Sequence, residues 1–217
     1  MAKKLTKGLF IAFEGPEGCG KSTQSRLLHE DLLSFGYDVI HTMEPGGTPL
    51  GLKIRDILLE KDDLRMDKKA ELFLFEADRA QHIEEVISPA LEERKIVICD
   101  RFNIATYAYQ GYGLGLEAGF IENIDSASRG DVKADLTILL DIDVDTGLSR
   151  AKAVGSCDRM EKREKAFHER VRSGYLDLAE KFSEKIKVIK VSGNVEEVHS
   201  RVKKEVYGFI SRYKRPE

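Results

Sequence analysis

The chain has 217 residues, a length that one hydrophobic core can serve, and 41% of them are apolar against 34% charged. With 35 Lys and Arg against 38 Asp and Glu the net charge is −3, which excludes an acidic disordered tail and a basic nucleic-acid coat, so no nucleic-acid partner is expected. Gly and Pro number 18 and 5 with no fixed repeat, which excludes collagen-like, mucin-like and solenoid architectures.

In chain order, Leu9-Phe10-Ile11-Ala12-Phe13 is a short continuous apolar run, the pattern of a strand buried on both faces of a parallel sheet. It is too short for a signal peptide or a membrane span, so the chain is expected to be untargeted, cytoplasmic and without a membrane partner. Leu27, Leu28, Leu32 and Phe35 share one helical face, and Gly36 stands where a left-handed C-cap belongs. Tyr37 to His41 reads as a more polar, flanking strand. Leu52 to Leu59 reads as a helix and Ala70 to Arg94 as one long helix. Ile96 to Cys99, Leu136 to Leu140 and Val188 to Val191 repeat the buried-strand pattern, while Ala166 to Phe182 and Val195 to Tyr213 are helical.

Between Arg150 and Arg172 lies a charge-dense stretch with Gly155-Ser156-Cys157-Asp158 in its middle. A loop between two helices fits it, as a solvated face laced with i,i+4 pairs or as a mobile lid that carries cations to phosphates. Strands alternating with helices predict an α/β fold, a five-stranded parallel sheet flanked by helices on both faces, with ligands at the carboxyl ends of the strands. A single domain over 1–217 is expected, with a lid insertion at about 150–165. Cys19, Cys99 and Cys157 are too far apart for a metal-ligand spacing or a disulfide framework, which fits a reducing cytosol.

Gly15-Pro16-Glu17-Gly18-Cys19-Gly20-Lys21-Ser22 matches the P-loop pattern G-x-x-x-x-G-K-[ST], with the apolar strand directly before it and the amphipathic helix directly after. Its glycines let backbone N–H groups converge on phosphate oxygens at a helix N-terminus, where the helix dipole favours an anion. This segment, through Thr23, is expected to bind ATP. Lys21 should reach the β- and γ-phosphates, and Ser22 should ligate Mg²⁺, with Asp100 at the end of the third strand as a ligand through water. Asp100 is followed by Arg101 and not by Glu, and no Asn-Lys-x-Asp string is present, which argues against motor ATPases and GTPase switches. A metal-water ligand beside a phosphate clamp suits an enzyme with phosphates on both substrates.

Five segments in order then carry a resemblance: Phe13-Glu14-Gly15 through Ser22-Thr23-Gln24, Glu44-Pro45-Gly46-Gly47-Thr48, Asp100-Arg101 with Ala108-Tyr109-Gln110-Gly111, Asp135-Leu136-Thr137 with Leu140-Asp141, and Asp158-Arg159-x-Glu161. Together they resemble the thymidylate kinase family, P-loop kinases that phosphorylate dTMP to dTDP with ATP and Mg²⁺. The resemblance implies that Arg55 and Arg101 bind the monophosphate, with Glu44 and Pro45 in the same acceptor site. It places Phe75 on the thymine ring and Arg79, Thr106 and Gln110 at its polar edge, while Tyr109 packs on the sugar. Without the family, Phe75 in its run of Leu and Phe reads as core.

Glu17 matches an acid near the sugar 3′-OH and the clamp arginines, and the loop has no base before Lys21. In the family's bacterial type the lid then supplies the catalytic cations, Arg159 first with Arg150 and Lys152 behind it. Lys21, Arg101, Arg159 and Glu17 are the expected catalytic set, and a homodimer is the family's usual state. Met43, Ala105, Ala134 and Val154 depart from the family's pattern and bear on fine specificity. A deoxynucleoside kinase and a nucleotide-binding regulator without turnover are the competing readings. Cys19 reads as a small filler, though a helix N-terminus also suits a lowered thiol pKa.

Overall fold

The computed structural model describes residues 5–59, 65–153, 155 and 159–213. Strands β1 (Leu9–Glu14), β2 (Val39–Met43), β3 (Ile96–Asp100), β4 (Leu136–Asp141) and β5 (Ile186–Lys190) form one sheet in the order β2-β3-β1-β4-β5, and every adjacent pair is parallel. β1 is central, and both of its faces are closed to water because its residues alternate between two helical layers. Leu9, Ile11 and Phe13 pack with Leu28 and Leu32 of α1 (Lys21–Ser34) and with Val202 and Val206 of α9 (Val195–Ile210). Phe10 and Ala12 point the other way, toward Ile83, Ile87 and Ala90.

The remaining helices are α2 (Pro49–Leu59), α3 (Lys68–His82), α4 (Ser88–Glu92), α5 (Asn103–Thr106), α6 (Ala118–Arg129), α7 (Val144–Ala153) and α8 (Lys165–Lys181). α1 ends as its sequence predicts: Gly36 has φ 82, its N–H bonds Leu33 O, and the Tyr37 N–H bonds Leu32 O, the paired closure that a left-handed glycine permits. α9 opens on a reciprocal capping box between Asn194 and Glu197.

Several expected boundaries change. The long helix expected over Ala70 to Arg94 is α3, a π-helical turn at Ile83–Ile87, and α4, which stops at Glu92. Pro89, which has no N–H to give the preceding turn, sits at the start of α4. The strand expected over Val188 to Val191 is β5, which runs from Ile186 to Lys190 at the sheet edge and buries only Ile186 and Ile189, leaving Val188 exposed. Helix α9 gives way at Ser211 to a 3-10 turn reaching Tyr213. Helices α5 and α6 and the π-helical turn Tyr107–Gly113 have no counterpart in the sequence reading: α5 and the turn are short and rich in Tyr, Gly and Thr, whereas α6 carries an amphipathic pattern that went unread. Val154, Cys157 and Asp158 lie outside the described residues.

Candidate active site

A cleft of about 910 Å³ opens at the carboxyl ends of β1, β2, β3 and β5. Such a position follows from the topology, since β1 lies between β3 and β4 and the chain leaves it to build the two halves of the sheet in turn. The P-loop from Glu17 to Thr23 forms the floor. Helix α1 starts at Lys21 behind Gly20, which has φ 89 and gives no side-chain cap, so the first-turn N–H groups are left for an anion. Lys21 Nζ folds back over the loop, 2.9 Å from Pro16 O.

The loop is seated by backbone contact that only glycine allows. A Cβ on Gly18 would lie 1.9 Å from Gly147 O, and one on Gly147 in α7 would lie 2.4 Å from Glu17 O. Gly147→Ala is therefore expected to displace the P-loop, raising KM for ATP at least tenfold and destabilising the fold by about 1–3 kcal/mol. Steady-state kinetics and a thermal melt check this; unchanged values for both would defeat it.

Arg101 is the hub between loop and acceptor side. Its backbone has φ 70, a left-handed conformation uncommon for a non-glycine residue, and its N–H is held by Phe13 O at 2.8 Å. The guanidinium donates to Glu17 Oε1 at 2.9 Å, to the hydroxyls of Tyr109 at 3.1 Å and Tyr175 at 3.2 Å, and to Gly15 O at 3.3 Å. Tyr109 also donates to Glu17 Oε1 at 2.6 Å. Burial pushes the Glu17 carboxyl up, but Arg101, Lys21 and the Tyr109 hydroxyl outweigh it and hold it at about 2. The acid in a phosphate-binding loop is thus neutralised by its neighbours.

Glu14, which sequence reasoning passed over, fixes this arrangement from behind. One carboxylate oxygen accepts the N–H groups of Phe102 at 2.9 Å and Ala105 at 3.1 Å, capping α5 from another segment, and the other accepts the Tyr175 hydroxyl at 2.9 Å. Burial raises its pKa from 4.5 to about 7 against the opposing pull of Arg101 and these hydrogen bonds. Between those two pH values the folded chain holds a proton that the unfolded chain has released, so this group's contribution to stability falls as pH rises through that window, by on the order of 3 kcal/mol. Glu14→Gln keeps an oxygen for both N–H groups and is expected to flatten the fall in Tm between pH 4.5 and 7. An unchanged slope in thermal melts across that range would refute the assignment.

At the far end Arg79, 2% exposed, is packed among carboxylates. Its Nε bonds Glu44 at 2.9 Å; its Nη1 bonds Glu76 and the Thr106 hydroxyl and lies 3.6 Å from Asp125. His82 Nδ1 reaches the other Glu44 oxygen at 3.0 Å and its Nε2 meets the Thr42 hydroxyl at 2.6 Å. The Glu44–Pro45 peptide is cis, and Pro45 O accepts from Arg55 at 2.7 Å.

Of the residues expected from sequence, the P-loop from Glu17 to Thr23, Glu44, Pro45, Arg55, Phe75, Arg79, Asp100, Arg101, Thr106, Tyr109, Gln110 and Arg150 all line the one cleft, as do Met43 and Ala105. Gly15 and Pro16 stand behind it. Phe75 is half-buried at its wall and not core. Arg159 is not in the lining: its Nη1 is 2.7 Å from Glu71 and its Nε 3.0 Å from Leu58 O. Sequence reasoning also missed the β5–α9 connection, where Gly193 to Glu196 and Val198 close the end of the cleft beyond the P-loop. Gln24 ties that connection to α1 through Val195 O at 3.0 Å and is itself met by His199 at 3.0 Å. Burial raises the Cys19 thiol pKa despite Lys21 and Arg101, so the helix N-terminus does not activate it.

The Ser22 hydroxyl is hydrogen-bonded to Asp100 Oδ2, and Asp100 Oδ1 is buried in the cleft wall without a hydrogen-bond partner among the described residues. A hydroxyl beside a carboxylate with an unspent oxygen, next to a phosphate loop, is a donor set that fits Mg²⁺.

A P-loop facing a second, arginine-lined compartment across one cleft defines a nucleoside monophosphate kinase. The thymidylate kinase family model matches residues 13–202. The thymidylate kinases of Syntrophotalea carbinolica and Geotalea daltonii are 46% and 45% identical, over 89% and 94% of this chain and 92% and 99% of their own lengths. The crystal structure of thymidylate kinase from Ehrlichia chaffeensis superposes with a TM-score of 0.76 at 36% identity, covering 92% of this chain and 99% of that one. The chain belongs to the thymidylate kinase family.

Proposed function

We propose that ATP lies on the P-loop with its base toward Gly193 to Val198, and that dTMP lies between Arg55, Phe75, Arg79, Arg101, Thr106, Tyr109 and Gln110. The reaction is phosphorylation of dTMP to dTDP. The observation that carries this arrangement is that Lys21 of the P-loop and Arg55, Arg79 and Arg101 from the opposite side line one cleft. The acceptor needs no protein base: a monophosphate loses its second proton near pH 6, so at pH 7 its oxygen is already a nucleophile. That oxygen bonds to the γ-phosphorus as the bond to the ADP oxygen breaks. What remains for the protein is to hold two anions in line and offset the charge on the transferring group.

Lys21 and the first-turn N–H groups of α1 hold the donor phosphates; Arg55 and Arg101 hold the acceptor phosphate. Ser22 and Asp100, the latter through water, would hold Mg²⁺, which when bound neutralises charge on the β- and γ-phosphates. Glu17, kept ionised beside Arg101 and Tyr109, accepts a hydrogen bond from the sugar 3′-OH. Arg150 already borders the donor side, and the lid at about 150–165 brings Arg159 inward from Glu71 when both nucleotides are bound.

A homodimer and a cytoplasmic setting belong to the same reading. Helices α2 and α3 leave Leu50, Ile57, Phe73, Ala77 and Ala80 exposed, an apolar surface suited to a second copy. Cys19 and Cys99 are buried free thiols, and among the described residues no helix is long and apolar enough to cross a membrane. Light scattering after size exclusion tests the dimer.

Release of ADP with dTMP, dUMP, thymidine, dCMP and AMP tests the acceptor. The expected order places dTMP first and dUMP roughly 10–200-fold behind, since one methyl separates them. Thymidine dependence, or no turnover with any acceptor, would overturn the reading.

A further inference from the structure

Glu71 sits in the first turn of α3 with its side chain 1% exposed, and three partners share its carboxylate. Gln110 Nε2 donates to Oε1 at 2.9 Å, while Arg159 Nη1 and Arg163 Nη2 donate to Oε2 at 2.7 and 2.8 Å. An ionised carboxylate only accepts hydrogen bonds, so the amide nitrogen of Gln110 must face Glu71. Both arginines share the Oε2 oxygen, and Gln110 faces the Oε1 oxygen. Turning the Gln110 amide over would set its oxygen against the Glu71 carboxylate, acceptor against acceptor.

Gln110 lines the acceptor end of the cleft beside Arg79 and Thr106. With its nitrogen held by Glu71, it offers the cleft its oxygen, while Arg79 offers only donors. We propose that Glu71 is the positioning residue that makes this pocket selective for a pyrimidine with a protonated ring nitrogen. Thymine and uracil carry N3–H with O4 beside it, matching an acceptor next to a donor. Cytosine carries an unprotonated N3 with an amino group beside it, so both positions oppose like with like. The inference rests on the acceptor-site reading above, because it needs the base to lie against Gln110.

Calorimetric titration of the full chain with dTMP and with dCMP tests it without turnover. The intact protein is expected to prefer dTMP. In Glu71→Gln the neighbouring amide serves either orientation of Gln110, and the dTMP:dCMP affinity ratio is expected to fall about tenfold with ATP affinity unchanged. In a Gln110→Leu background, Glu71→Gln is expected to leave the ratio where it stands. Should Glu71→Gln not fold, Glu71→Asp carries the test: its carboxylate still only accepts, so the ratio stays within about threefold of the original even if dTMP affinity drops. Equal loss of both affinities in Glu71→Gln, a ratio that collapses in Glu71→Asp, or a further tenfold change on top of Gln110→Leu would overturn the role of Glu71. An intact protein with no preference for dTMP would instead overturn the acceptor-site reading itself.

Discussion

Arg101→Ala lowers kcat about a thousandfold or more, because it removes the cation that joins both sides of the cleft. Arginines that offset transition-state charge in P-loop enzymes account for about 10³–10⁵ in rate. This one also holds Glu17, Tyr109, Tyr175 and Gly15 O in one cluster. Its loss leaves Glu17, 16% exposed, without its closest cation. Glu17 is then expected to protonate at higher pH than its present value of about 2. A depressed carboxyl stabilises the fold above its unfolded pKa of about 4.5 and ceases to do so as pH falls toward 2, so this acid-side stabilisation is the part the variant loses. Arg101→Lys keeps the charge but not the planar fork that serves four acceptors, and should regain dTMP binding more than kcat. Steady-state ADP release reads both, and a kcat within tenfold of the original for Arg101→Ala would refute the assignment.

Arg79→Met removes a cation that touches three buried carboxylates, of which Asp125 alone keeps a second arginine, Arg129, among the described residues. Glu44, Glu76 and Asp125 have side chains 3%, 3% and 0% exposed and all lie against this guanidinium. Removing one partner of a buried ion pair costs about 3–5 kcal/mol, because the remaining charge must be solvated or protonated. For a chain of this size that corresponds to a fall in Tm of roughly 6–20 °C. Binding of dTMP should be lost with it, since an empty position opposite the base leaves polar groups unpaired. Calorimetric melting and dTMP titration together decide it: a drop under about 2 °C would show that the cluster reorganises without this arginine.

Both variants act on residues whose importance showed in the sequence for one reason and in the structure for another. Arg101 stands out because it follows an acidic residue at a strand end, and Arg79 only through the resemblance to the thymidylate kinase family. Neither position revealed its partners. Glu14 had a visible signal, a charge closing a run of five apolar residues, yet nothing local says that it caps α5 and meets Tyr175. Glu71, Glu76 and Asp78 likewise interrupt an apolar helical segment at core positions, a pattern that announces buried carboxylates but not their counter-ions. Arg159 falls in the stretch expected to form a lid, whereas its contact with Glu71 follows from how that segment meets α3 and has no signal in the sequence. The residues from Gly193 to Val198 have an ordinary turn and helix start, so their place in the cleft lining has no signal in the sequence.

The sequence by itself determined the phosphate loop, the strands that frame it and the kind of chemistry they serve, because a glycine-rich turn between strand and helix is specified by residues within ten positions of one another. Only the tertiary structure decided which acids and bases share a charge. Glu17, Arg101, Tyr109 and Tyr175 come from four separate segments, and Glu71 of α3 gathers Gln110, the neighbour of Tyr109, together with Arg159 and Arg163 from one more. Burial makes an isolated charge costly, so each of these groups takes its state from a neighbour distant in the chain, and that neighbour is known only once the sheet has brought the segments together.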